Sequence, residues 1–179
     1  MPDESVTPTF GAAVVRVENP RWRGVPFFIS AGKALDASMT EIRIRFRAVP
    51  HNVFCSLGAC PEANELIIRV QPDEAINLLI TSKVPGLGMK LETRTLDLRY
   101  KAAFTEPIPD AYESLLVDVI RGENGLFIRG DELAAAWDVF TPVLRVLEER
   151  RIRPFPYAYG SRGPAEAAAL AARYGMELR

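Results

Sequence analysis

Glu41-Ile42-Arg43-Ile44-Arg45-Phe46-Arg47-Ala48 is the stretch whose reading decides the fold class. Ile42, Ile44 and Phe46 alternate with Glu41, Arg43, Arg45 and Arg47, which is the two-residue period of a strand with one apolar and one polar face. Working outward, residues 13–18, 26–30, 65–71, 76–82 and 93–100 also read as strands. No crossover helix separates these segments, and parallel neighbours would need one, so the sheet is expected to be largely antiparallel.

Beyond Pro109 the period changes. Tyr112, Leu115, Leu116, Val119 and Ile120 fall on one helical stripe that stops at Gly122, and Asp110 with Glu113 forms a capping-box-like start. A second helix is expected from Asp131, with Leu133, Trp137, Phe140, Leu144 and Leu147 on its apolar side and Pro142 bending it. A third is expected from Pro164 to Tyr174, with Gly175 as its stop. Strands first and helices afterwards predict one α+β domain over residues 1–179, with helices packed on one face of the sheet. The opposite face, with its arginines at 43, 45 and 47, is then either solvated or an oligomer interface.

The chain has 179 residues, 48% of them hydrophobic, enough for one sizeable core. Lys and Arg number 22 against 23 acids, so no global positive field gathers nucleic acid or a membrane surface. No apolar run is long enough to span a bilayer, and the first residues lack the pattern of a signal peptide, so a cytoplasmic protein is expected. In that setting Cys55 and Cys60 are expected as thiols. His51, Cys55, Cys60 and Glu62 can be drawn as a zinc site, but the set lacks the paired short spacings of structural zinc, and no metal is expected.

Dinucleotide chemistry needs a glycine-rich strand-to-helix turn, and no Gly-x-Gly-x-x-Gly occurs. Gly32-Lys33 is not a phosphate-binding P-loop, because Phe27 stands five residues before Gly32 and Ala34 replaces the required hydroxyl residue. His51, between Pro50 and Asn52, belongs to no recognisable acid–base motif and reads as a surface-turn residue. Two other stretches can hold an anion. In Ser30-Ala31-Gly32-Lys33-Ala34-Leu35 an ammonium group follows a strand end, read either as an anion ligand or as a solvated lysine. In Tyr157-Ala158-Tyr159-Gly160-Ser161-Arg162-Gly163-Pro164 small residues, a hydroxyl and a guanidinium precede a helix start, which suits either an anion or a plain helix-entry turn.

The ordered motifs Asn19-Pro20-Arg21-Trp22-Arg23-Gly24-Val25-Pro26-Phe27, Gly32-Lys33-Ala34-Leu35, Glu41-Ile42-Arg43-Ile44 and Arg69-Val70-Gln71-Pro72 resemble glucose-6-phosphate dehydrogenase. So do Asp110-Ala111-Tyr112-Glu113, Ala136-Trp137 with Phe140-Thr141-Pro142, and Tyr159-Gly160-Ser161-Arg162-Gly163-Pro164. The resemblance is to the C-terminal domain alone. It implies a large, mainly antiparallel sheet backed by helices, a homodimer through the exposed sheet face, and a substrate site shared between domains. In that site Lys33 binds glucose 6-phosphate and Gln71 approaches the sugar, while Ser38 stands where the family has a second basic phosphate ligand. For a second, structural NADP the matching residues are Arg43, Arg69, Asp97 and Arg162, with Ser30 and Met39 replacing two basic positions.

The family's glycine-rich coenzyme loop and catalytic histidine precede the matched region, and Pro2 with Ser5-Val6-Thr7-Pro8-Thr9 resembles an internal family segment. The expected partners are therefore a missing N-terminal coenzyme domain or a full-length homologue. By itself the chain is expected to be inactive and to bind glucose 6-phosphate weakly. A free-standing dimerisation or assembly module, or a residual sugar-phosphate binder, is the alternative.

Overall fold

The computed structural model describes residues 5–106 and 109–178; Pro2, part of the N-terminal resemblance, lies outside them. The chain divides into two compact units, Met1–Ala37 with Asp118–Arg179, and Ser38–Val117. Antiparallel strands precede the long helices, the expected α+β class.

In the first unit, β1 (Phe10–Arg16) pairs antiparallel with β2 (Pro26–Gly32). The turn between them is built by Asn19, whose Oδ1 accepts the Trp22 amide at 2.9 Å, and by Gly24 at φ +81°, where a Cβ would be strained. Trp22 packs edge-on against Phe27 across this turn, with ring centroids 5.3 Å apart.

In the second unit, β3 (Thr40–Arg45), β4 (Glu65–Gln71), β5 (Ala75–Lys83) and β6 (Leu91–Arg99) form a four-stranded antiparallel sheet in sequence order. The register opposes Ile42 to Ile68 and Ile44 to Leu66, then Ile68 to Ile76, Leu66 to Leu78, Ile76 to Leu98 and Leu78 to Leu96. One face is therefore a continuous apolar layer. The other carries rows such as Arg43-Ile67-Asn77-Asp97 and Glu41-Arg69-Ala75-Arg99.

The two-residue alternation is as expected, but exposure is distributed otherwise. Ile42 and Ile44 are 52% and 43% exposed, whereas the Glu41 and Arg43 side chains are partly covered. The charged side chains of the polar face bridge one another and shield their own stems.

Two one-turn helices escaped the periodicity, α1 (Val53–Ser56) and α2 (Tyr100–Ala103), both too short to show a stripe. The three longer helices appear as expected: α3 (Ala111–Arg121), α4 (Gly130–Glu149) and α5 (Ala165–Arg173). Asp110 Oδ1 accepts the Tyr112 amide at 2.9 Å, and Gly122 closes α3 at φ +74°. Helix α4 runs through Pro142. Helix α5 is alanine-rich, with Ala171 fully buried, and ends before Gly175 at φ +68°. None of the described residues of α3 or α4 is buried.

The thiol expectation fails. Cys55 and Cys60 are joined by a disulfide, S–S 2.03 Å. Helix α1, capped by Asn52 Oδ1 on the Phe54 amide, turns back through Gly58 at φ +80° and brings the two Cα atoms to 3.9 Å. The drawn zinc set thereby loses both its soft ligands to a covalent bond.

Candidate functional site

Lys33 stands directly after β2, and its backbone is held from both sides. Its amide donates to the Thr9 carbonyl at 2.8 Å, and its carbonyl lies 2.8 Å from the Tyr157 hydroxyl. That hydroxyl is also 3.0 Å from the Thr9 carbonyl and 3.1 Å from Thr9 Oγ1; with one proton to give, it bonds these acceptors alternately. Ala34 follows at φ +53°, and its carbonyl accepts the Gly160 amide at 2.9 Å. Leu35 then pairs with Ser161 in an isolated parallel bridge, and the Asp36 amide donates to the Ser161 carbonyl at 3.0 Å.

The two stretches that sequence reading treated as separate anion candidates are thus one structure. The Gly32-Lys33 corner and the loop from Tyr157 to Pro164 are stitched together by backbone bonds. Phe10 fills the space between them: its ring sits edge-on to Tyr157, centroids 5.7 Å apart. A Cβ added at Gly32 or at Gly163 would meet a Phe10 carbon at 2.5 Å. Glycine is required at both places by this close approach, and at Gly163 also by φ +105°. The Lys33 side chain is exposed, and among the described residues no ion pair engages its ammonium group. Arg162, on the facing loop, points its Nε at Asp36 Oδ2, 3.4 Å away. Phe10 and Asp36 are site residues that sequence reading missed, and Thr9 and Tyr157, quoted only within longer stretches, were given no part in holding Lys33; no local pattern marks these contacts, because each acts across the chain.

Ser38 and Gln71 belong to the second unit, and both are exposed. Gln71 ends β4 opposite Thr40, and its bond to Pro72 is cis. Behind it Asp73, at φ +58°, pairs with Lys101 at 2.5 Å. The hydrogen bond from Lys101 holds the Asp73 carboxyl below the ordinary carboxylate range and pushes the lysine up.

Of the residues expected at a structural nucleotide, Arg43, Arg69 and Asp97 share the polar sheet face; Arg162 lies in the other unit. Arg43 is bonded to Glu41 at 2.5 Å and to Glu65 at 3.2 Å. Arg69 Nη2 reaches Glu41 Oε2 at 3.9 Å, and Arg99 holds Asp97 at 2.9 Å. Glu41 Oε2 and Arg69 Nε are buried without a hydrogen-bond partner. Glu41 and Glu65 would therefore compete with a dinucleotide phosphate for the Arg43 and Arg69 guanidinium groups.

Comparison with known proteins places these features in a family. The family described as "Glucose-6-phosphate dehydrogenase, C-terminal domain" matches residues 1–179. A chloroplastic glucose-6-phosphate 1-dehydrogenase of Nicotiana tabacum is 55% identical over 177 residues, covering 97% of this chain and 30% of that protein. A cytoplasmic one of Arabidopsis thaliana is 44% identical over 178 residues, covering 98% of this chain and 34% of that protein. A solved glucose-6-phosphate dehydrogenase in complex with its substrate glucose-6-phosphate superposes with a TM-score of 0.89 at 41% identity, over 98% of this chain and 36% of that one. The chain spans about a third of the length of the proteins it matches.

Proposed function

Because the chain belongs to the glucose-6-phosphate dehydrogenase C-terminal domain family, we propose that it is the C-terminal domain of an oxidoreductase converting glucose 6-phosphate to 6-phosphoglucono-lactone with NADP. The observation that carries this reading is the clamped Gly32-Lys33 corner. Its backbone is fixed by Thr9, Tyr157 and Gly160 while the ammonium group stays exposed, with no ion pair among the described residues, an arrangement that suits a dianionic phosphate. In this reading Lys33 holds the phosphate; the family pattern assigns Gln71 to the sugar, and Ser38 stands in place of a second basic phosphate ligand, which weakens the grip. Oxidation at the sugar carbon sends a hydride to the coenzyme and a proton to a base. The sequence has no glycine-rich coenzyme turn and the described residues present no positioned base, so in this reading the chain does not turn over alone and acts with a coenzyme-binding domain, from the same polypeptide or from a full-length homologue. The family's pathway role is the oxidative branch of pentose phosphate metabolism, and a cytoplasmic site of action is part of the same reading. Relatives carry both cytoplasmic and chloroplastic names.

The four-stranded sheet supplies the homodimer surface in this reading. Its apolar face, from Ile42 across to Leu98, is too continuous to stay in water. The ion-paired face is left for the second subunit, a polar interface of ordinary character. A structural NADP on that face would meet Arg43, Arg69 and Asp97, with Glu41 and Glu65 competing for the two guanidinium groups.

Lys33→Ala in the catalytically complete protein tests the phosphate assignment. Loss of a charge-assisted bond costs about 1.5–3 kcal/mol, a roughly ten- to hundredfold rise in KM for glucose 6-phosphate. An unchanged KM would remove Lys33 from the site.

A further inference from the structure

We propose that Cys55 and Cys60 form a reversible thiol–disulfide site that sets the order of the connection between β3 and β4. Both cysteines are exposed, so a reductant reaches the bond without opening the sheet. The connection leaves the ladder where the Phe46 amide bonds the Asn64 carbonyl at 2.9 Å. Within it the structure is local. Asn52 caps α1, the Gly58 amide bonds the Cys55 carbonyl, and the Ala59 amide bonds the Phe54 carbonyl.

Val49, Val53 and Leu57 are all more than half exposed, so little apolar burial anchors the segment. A helix of four residues has no stability of its own in water. The covalent tie across five positions is therefore the strongest constraint on residues 53–60, and removing it releases that segment while the β3–β4 pairing stays intact.

The chemistry balances with a dithiol as reductant. One thiolate of the dithiol attacks a cysteine sulfur, and the S–S bond breaks with its electron pair leaving on the other cysteine. The second dithiol group then resolves the mixed disulfide. Two electrons and two protons pass to Cys55 and Cys60, and the reagent departs as its cyclic disulfide.

The purified chain, treated with and without dithiothreitol, gives the test by iodoacetamide labelling with mass spectrometry and by amide hydrogen exchange. Expected are no labelling before reduction, two labels after it, and restored resistance once the reductant is removed in air. Exchange over residues 53–60 should speed up on the order of tenfold on reduction, with β4 and β5 unchanged. Cys60→Ser should exchange at the fast rate under both conditions. Labelling of both cysteines without reductant, failure of the bond to re-form, equal exchange in the two states, or loosening that spreads through β4 and β5 would each overturn the proposal.

Discussion

Gly163→Ala puts the junction between the Lys33 corner and the Tyr157–Pro164 loop under direct stress. The added Cβ would lie 2.5 Å from Phe10 Cε2, 2.9 Å from Cζ and 3.0 Å from Cδ2, and Gly163 sits at φ +105°. Backbone strain in that region costs on the order of 1–3 kcal/mol. Forcing an aromatic ring out of a filled gap adds about 1–3 kcal/mol. A total of about 3 kcal/mol corresponds to a fall in Tm of roughly 6–12 °C for a chain of this size. Gly122→Ala is the control: it has φ +74° but nothing within 4 Å, so it carries strain without a clash and should cost about 1 kcal/mol. Thermal or urea unfolding of the two variants, followed by circular dichroism, separates the contributions. In a Phe10→Ala background, Gly163→Ala should lose its clash and retain only its strain, which a double-mutant cycle reads as coupling between the two positions. Equal losses for the two glycine replacements, or no coupling to Phe10, would refute the claim that Phe10 fills this junction.

Tyr157→Phe removes the hydroxyl shared between Thr9 and Lys33 and should cost about 1 kcal/mol, read as a lower urea midpoint with an unchanged m-value. The Asp73–Lys101 pair gives a pH dependence of known sign. The carboxyl of Asp73 is depressed by the lysine hydrogen bond, so its contribution is present at neutral pH and is lost as pH falls through the acidic carboxylate range. Lys101 is raised, so its contribution is present at neutral pH and is lost only in strong alkali. Both side chains are largely exposed, so the effect is small. Asp73→Asn should flatten the acid limb of the urea midpoint against pH, and a limb of unchanged slope would exclude the pair as its source.

Much of the fold could be read locally. The alternation in residues 41–48 announced β3, and the helical stripes with Gly122 and Gly175 announced α3 and α5, because strand and helix periods and left-handed glycine stops are properties of neighbouring residues. Helices α1 and α2 were not legible, since four residues cannot display a 3.6-residue stripe. The disulfide was misread for a different reason. Spacing shows two cysteines five apart, but only the turn through Gly58 brings their sulfurs into bonding distance.

By itself the sequence determined the element types, the two-faced pattern of the sheet, and the ordered motifs that carry the family. It also singled out Lys33 and Arg162 as cations beside small residues, without showing how their loops meet. Only the tertiary structure joined their loops through Ala34, Gly160 and Ser161, placed Phe10 between two glycines, and matched Arg43 to Glu41 and Glu65. The physical reason is distance along the chain. Period, caps and turns act within a few residues, whereas a bond such as Tyr157 to Lys33, 124 positions apart, depends on how the whole unit closes.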